Sequence, residues 1–187
     1  MITRADALQR YRSLPLPTTA DEHWRFTDLR GFQVPGTLSV PGTSSKPALD
    51  LDVAGFAQVN ESAIEIVSAP EGVTFEPLPA DYPAELVPDD DKFALENLAN
   101  WQHGLLVRVP KGVELDCPLY VKVTSNGGSL YWRMVVVAEE GARFTVIEDL
   151  SSAGPDTLAY SNAVVELFVE PGAKIEYVSL QNLSKET

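Results

Sequence analysis

Cys117, His23 and His103 are the side chains of this 187-residue sequence best suited to act as a nucleophile or to hold a transition metal, and there are no others of their kinds. One cysteine cannot close an intrachain disulfide or supply a cysteine-rich cluster site, and two histidines 80 positions apart fall short of a histidine-based metal site. Cys117 sits beside Pro118 among apolar neighbours, where a thiol ordinarily behaves as a small hydrophobe. A reactive thiolate there would need a cation such as Lys111 or Lys122 brought close by the fold. No Ser-His-Asp order, no nucleophile elbow and no phosphate-binding glycine loop occurs; Asn126-Gly127-Gly128-Ser129 reads as a hairpin or a coil-to-coil turn. No catalytic or metal-ligating residue is assigned, and the cofactor-binding residues are left open.

The carboxylates offer one further chemistry. Glu139-Glu140 and Glu148-Asp149, with Arg108 or Arg143 as base, are the parts a polysaccharide-cleaving β protein would use. Adjacent residues of a strand face opposite ways, however, so both acidic pairs are expected at solvated turns and edges. The run Asp89-Asp90-Asp91 is expected to open a helix through Ala94, Leu98 and Trp101, with its negative charge at the positive helix end.

The elements that must position these residues follow from pattern. Thr3 and Asp6 have capping-box spacing, and the helix they start carries Ala7, Leu8 and Tyr11 before Pro15 and Pro17 end it. Thr18 or Thr19 is expected to cap a second helix through Asp21 or Glu22, carrying Trp24, Phe26 and Leu29 to Gly31, with Trp24 and Phe26 docking on the body. Residues 34–50, rich in Pro, Gly, Ser and Thr, read as a linker, and residues 63–68 as a strand. From Gly104 onward the period is two and β-branched residues dominate, with Met134 to Ala138 apolar enough for a strand buried on both faces.

Four phrases repeat: Pro70-Glu71-Gly72-Val73, Pro110-Lys111-Gly112-Val113, Glu139-Glu140-Gly141-Ala142 and Glu170-Pro171-Gly172-Ala173. The last three glycines are 29 and 31 residues apart (141 − 112 and 172 − 141), the signature of stacked copies of one unit. The expected fold is therefore mainly β with N-terminal α: a right-handed parallel β-helix, or β-solenoid, preceded by a small helical region, with an antiparallel sandwich as the alternative. Residues 1–100 are expected to form the helical and irregular part and residues 101–187 the first coils. A solenoid exposes strand edges at both ends; the helices are expected to cap one, and the other, near Gln181, to meet more polypeptide or another chain.

A formal net charge of −13 argues against wrapping nucleic acid or lying on anionic lipid. No apolar run approaches the ~18 residues of a membrane helix and no signal-peptide core opens the chain, so a cytoplasmic protein is expected.

The stretch Leu16-Pro17-Thr18-Thr19-Ala20-Asp21-Glu22-His23-Trp24-Arg25-Phe26-Thr27-Asp28-Leu29 resembles the opening of the SufD branch of the SufB/SufD family. Phe93-Ala94-Leu95-Glu96-Asn97-Leu98, Gly104-Leu105-Leu106-Val107-Arg108-Val109-Pro110-Lys111-Gly112-Val113 and Asn162-Ala163-Val164-Val165-Glu166 are similar to the core of that family. The short lead into Pro15 and the single cysteine favour SufD over SufB. The resemblance implies a parallel β-helix, the N-terminal portion of a longer chain, and a non-catalytic scaffold for iron-sulfur cluster assembly. It further implies a SufB-like paralogue and a SufC-like ABC-type ATPase as partners, and no cofactor held by this portion alone, the cluster belonging to the assembled complex. The family's interface residues would lie past Thr187, so none is carried onto this sequence. The competing readings are a carbohydrate-active β-helix and a plain protein-binding solenoid module.

Overall fold

The computed structural model describes residues 2–34, 49–154 and 158–185. Most of the expected linker, residues 35–48, lies outside the described residues. The chain opens with helix α1 (Arg4–Ser13), started by a complete capping box in which Thr3 Oγ1 accepts from Asp6 N–H and the Asp6 carboxylate accepts from Thr3 N–H. The expected second helix is reduced to a single 3-10 turn, Glu22–Trp24, whose preceding residue Asp21 makes no side-chain cap. The Asp21 carboxylate is instead turned back onto Thr18 N–H at 2.7 Å, closing a local turn. Trp24 docks as expected, 5.1 Å from the ring of Phe93, but Phe26 is 87% exposed and does not.

Three short strands follow: β1 (Gly55–Val59), β2 (Ile64–Ser68) and β3 (Thr74–Pro77). Helix α2 (Lys92–Asn100) starts where the Asp run predicted, with Asp91 Oδ1 accepting from Ala94 N–H. Its buried face is centred on Leu95 and Leu98, followed by Trp101, while Ala94 is only half-buried. Then come β4 (His103–Val109), β5 (Leu119–Ser125), β6 (Gly128–Ala138), β7 (Arg143–Ser152), β8 (Ala159–Val169) and β9 (Lys174–Asn182).

The strands form two mixed sheets, ordered β2-β1-β5-β7-β9 and β3-β4-β6-β8. From β5 onward each strand lies in the sheet opposite its predecessor, and from β6 onward each pairs in parallel, in unbroken register, with the strand two places earlier; β5 itself pairs in parallel with β1. The expectation of a parallel winding throughout is corrected at the beginning: β1 with β2, and β3 with β4, are antiparallel. The physical reason sits between β1 and β2, where Asn60 Oδ1 accepts from Ser62 and Ala63 N–H and Asn60 N–H donates to Ala63 O, a tight reversal that folds β2 back along β1. The observed class is mainly β with two helices.

At the repeated phrases Gly112, Gly141 and Gly172 have φ of 69°, 73° and 72°, the left-handed conformation that the third residue of a type II turn requires. These turns stack: Gly112 N–H donates to Glu140 O and Gly141 N–H to Pro171 O, carrying the inter-strand ladder around the corner. Gly72 has the same sign of φ but no stacked partner, so the first phrase is a turn of the same type outside the column.

The core lies between the sheets, where Val107, Leu119, Val121, Trp132, Met134 and Val146 are essentially fully buried. The Met134–Ala138 run is buried on both faces, as its composition predicted. The helices do not cap an end of the sheets. They lie on the outer face of the four-stranded sheet, where Asn97 Nδ2 of α2 donates to Trp132 O and Asn162 O across β6 and β8. Lys92 ties α1 to α2 by donating at 2.6 Å to Tyr11 O and Leu14 O near the carbonyl end of α1.

Candidate assembly interface

The strands β8 and β9 are the last of their sheets, and neither pairs on its far side among the described residues. They are 11 and 9 residues long, in register with β6 and β7 over their whole lengths; Val169 at the end of β8 and Val178 in the middle of β9 are 53% and 40% exposed. The N–H of Lys174 donates to Ala142 O, so in a regular parallel ladder the alternate groups of Glu176, Val178 and Leu180 face β7. Those of Ile175, Tyr177 and Ser179 then face outward. Such an edge is a template for another strand.

The interior behind this edge keeps apolar contacts through Val165, Leu167 and Ile175 but, unlike the interior further back, also holds a polar group. Down the column that faces the core, Val121 pairs with Glu148 and Glu148 with Ser179; Leu119 pairs with Val146 and Val146 with Tyr177. Glu148 is 3% exposed and accepts from Trp132 Nε1–H at 3.0 Å, from Tyr177 O–H, and from Ser179 O–H at 3.5 Å. Burial raises the Glu148 carboxyl pKa, and the donors Tyr177, Trp132 and Ser179 offset part of that rise. Burial and the adjacent Glu148 charge raise the Tyr177 phenol. Opposite them the column on β8 is small, with Ser161 and Ala163 paired to Leu130 and Trp132.

These positions correct the expectation that Glu148-Asp149 is a solvated pair. The two do face opposite ways, but Asp149, 2% exposed, accepts from Tyr120 O–H at 2.7 Å on the outer face of the same five-stranded sheet. Glu139 and Glu140 do lie at a turn, and they tie adjacent turns together: Glu139 accepts from Arg108 and from Lys111 N–H, and Glu140 pairs with Lys111 Nζ at 2.7 Å. Arg143 lies 3.4 Å from Glu114. Neither arginine converges with Glu148, so the acids and bases of the polysaccharide-cleaving reading are not brought together.

His23 lies in the 3-10 turn and His103 begins β4, its Nε2 3.3 Å from Glu61 O, so the histidines remain apart. Cys117 is a half-buried free thiol in the loop before β5. Of its two candidate cations, Lys111 is committed to Glu140 and Lys122 stands on β5 in register with Gln58 and Asp149. Asn126-Gly127-Gly128-Ser129 is a corner between sheets, with φ of 108° and 110° at the glycines. Among the described residues no group of three or more His, Cys, Asp and Glu side chains is placed to hold a metal ion.

Two clusters escaped pattern reasoning. The Glu96 carboxylate collects Tyr11 O–H at 3.0 Å, Tyr131 O–H at 3.2 Å and Tyr160 O–H at 2.7 Å, joining both helices to β6 and β8. Burial and this carboxylate push all three phenols upward. Arg133 and Glu166 form an ion pair at 1% and 2% side-chain exposure. Arg133 also donates to Tyr82 O and Pro83 O, and Glu166 accepts from Glu85 N–H and Leu86 N–H, which straps residues 82–86 across the outer face. Arg133 inside an otherwise apolar run was the one sequence signal for the second cluster.

Residues 121–187, which contain β6 to β9 and β5 from Val121 on, match the family described as SUF system FeS cluster assembly, SufBD core domain. The chain is similar to an iron-sulfur cluster assembly SufBD family protein of Staphylococcus epidermidis (strain RP62A), 36% identical over 105 residues, or 54% of this chain and 23% of that protein. The same degree of identity relates it to a protein of that description from Staphylococcus aureus (strain MRSA252), over 104 residues, 54% of this chain and 22% of the relative. The match thus spans under a quarter of the length of these curated relatives. Together the comparisons support the SufB/SufD family.

Proposed function

We propose that this chain is the N-terminal portion of a SufD-type member of the SufB/SufD family, a non-catalytic scaffold for iron-sulfur cluster assembly that works beside a SufB-like paralogue and a SufC-like ABC-type ATPase. On this reading the alternating strands are the first coils of a right-handed parallel β-helix. Residues 1–100 supply its helical flank and antiparallel start, and residues 101–187 its opening turns.

The observation that carries the reading is the unbroken parallel register of β4 to β9 around the stacked turns at Gly112, Gly141 and Gly172, of which the part from residue 121 onward lies in the region that the SufBD core family matches. A register of this kind gives β8 and β9 edges that further coils or a paralogue can extend by backbone hydrogen bonds alone. The role of the chain is then positional: it fixes a rigid edge at which a cluster is built by groups lying elsewhere in the assembly, and the ATPase supplies the conformational work. No cofactor is held by this portion. The stretch from Glu22 to Thr27, with its resemblance to the SufD opening, favours SufD over SufB. Its proposed place of work is the cytoplasm; among the described residues no helix is long and apolar enough to cross a membrane.

The test is affinity purification of the full-length gene product. Co-purification of an ABC-type ATPase and a paralogous β protein, with cluster transfer to an apo-acceptor by the assembly, is the expected result. Polysaccharide cleavage by a product that captures neither partner would overturn it.

A further inference from the structure

We propose that the cavity between α1, residues 80–84 and the outer face of β6 is a binding site for a small planar ligand that presents a carboxylate or a ring-carbonyl oxygen. The cavity holds about 360 Å³, within the range of small-molecule sites, and its walls include Ile2, Tyr82, Leu98 and Trp101. Two guanidinium groups, Arg133 and Arg4, line it.

Arg133 is the telling residue. A guanidinium has five N–H groups, and Glu166 (from Nε and Nη2), Tyr82 O (from Nη1) and Pro83 O (from Nη2) take four of them. The fifth, on Nη1, has no acceptor among the described residues although the side chain is 1% exposed. A buried N–H without an acceptor is unfavourable, so an oxygen acceptor that reaches it from the cavity is favoured. The Arg133 guanidinium carbon lies 6.0 Å from the Tyr82 ring and 5.9 Å from the Trp101 ring, so the donor is flanked by flat apolar surfaces.

Arg4 supplies the second contact. Its guanidinium carbon lies 4.4 Å above the Trp101 ring centre, and among the described residues only its Nη2 has an acceptor, Trp101 O at 2.9 Å. The remaining N–H groups are available to an anion. Since Arg133 is neutralised by Glu166, Arg4 provides the attraction for a carboxylate through direct hydrogen bonds; Arg4 and Asp81 are both exposed, so their longer-range charges are both screened by water. A ring carbonyl uses Arg133 alone, a carboxylate uses both cations.

The two arms are separated by titrating the 187-residue chain with benzoate and, independently, with uracil to roughly 10 mM, following the Trp101 indole N–H by NMR. Saturable shifts with at least one probe are expected. Arg4→Met should weaken benzoate about tenfold and leave uracil within about twofold. Ala80→Leu, which fills the cavity mouth, should abolish both without lowering the melting temperature. Absence of saturable shifts with both probes, or binding that neither variant alters, would overturn the proposal and identify the cavity as a water-filled packing gap.

Discussion

The two ends of the sheets are built to opposite specifications. At one end β2 and β3 are five and four residues long and antiparallel to their neighbours. A register irregularity lies between Phe56 and Ala57, and Pro77 closes β3. Each of these features discourages a further strand. At the other end β8 and β9 are 11 and 9 residues long, parallel, evenly registered and free of internal proline. Their interior turns from the dry packing of Val121 and Leu119 to the polar group of Glu148, Tyr177 and Ser179. One end discourages a further strand and the other leaves regular edges open to one, and the difference lies in backbone direction and strand length rather than in any reactive side chain.

The strap on the outer face is where the contrast can be broken most severely. Arg133→Met leaves Glu166 buried without its charge partner and releases Tyr82 O and Pro83 O, and is expected to cost about 3–5 kcal/mol in urea denaturation. A loss under about 1 kcal/mol would mean that residues 82–86 are not held as described.

The glycine turns sharpen the comparison. A Cβ at Gly141 would meet Gly112 Cα at 3.9 Å, whereas at Gly72 it meets nothing within 4 Å. Alanine at either position carries the left-handed penalty of about 1–2 kcal/mol. Valine is expected to add a further loss of about 1 kcal/mol or more at Gly141 but not at Gly72, because only Gly141 is stacked between neighbouring turns. Equal losses for the two valine variants would remove the distinction between column and isolated turn.

The smallest effect is a pH dependence at the polar end. Because the folded protein raises the Glu148 pKa above its unfolded value, the group's contribution is fully present below the unfolded pKa and declines as pH rises through the folded one. Glu148→Gln is therefore expected to stabilise the fold by about 1 kcal/mol near pH 8 and to flatten that decline, read from denaturation midpoints across pH. A variant less stable than the parent at about pH 8 would show that the ionised carboxylate is favoured where it stands.

Much of this could be read from residues before any coordinates. The capping box at Thr3, the helix opened by Asp91, the buried Met134–Ala138 strand and the stacked glycines at 112, 141 and 172 are local or periodic signals, and the structure carries each. What escaped depends on contacts distant in sequence. Gly72 has the same turn chemistry as the other three, so its exclusion from the column is decided by the reversal at Asn60, which faces β2 and β3 the other way. Glu148 is acidic in an alternating strand, and only the arrival of Trp132 and Tyr177 from other strands makes its burial tolerable. Trp24 and Phe26 sit two positions apart in one segment; with a 3-10 turn in place of a full helix, only Trp24 reaches Phe93.

The central claim, that β9 is an in-register parallel strand with an open outer side, is tested most directly by residue-resolved amide hydrogen exchange on dilute 187-residue chain. Val178 and Leu180, whose N–H groups face β7, should be protected, while Tyr177 and Ser179 should exchange rapidly, an alternation that ends at the far sheet position. Uniform protection of residues 175–180, or uniform exchange across them, would contradict it.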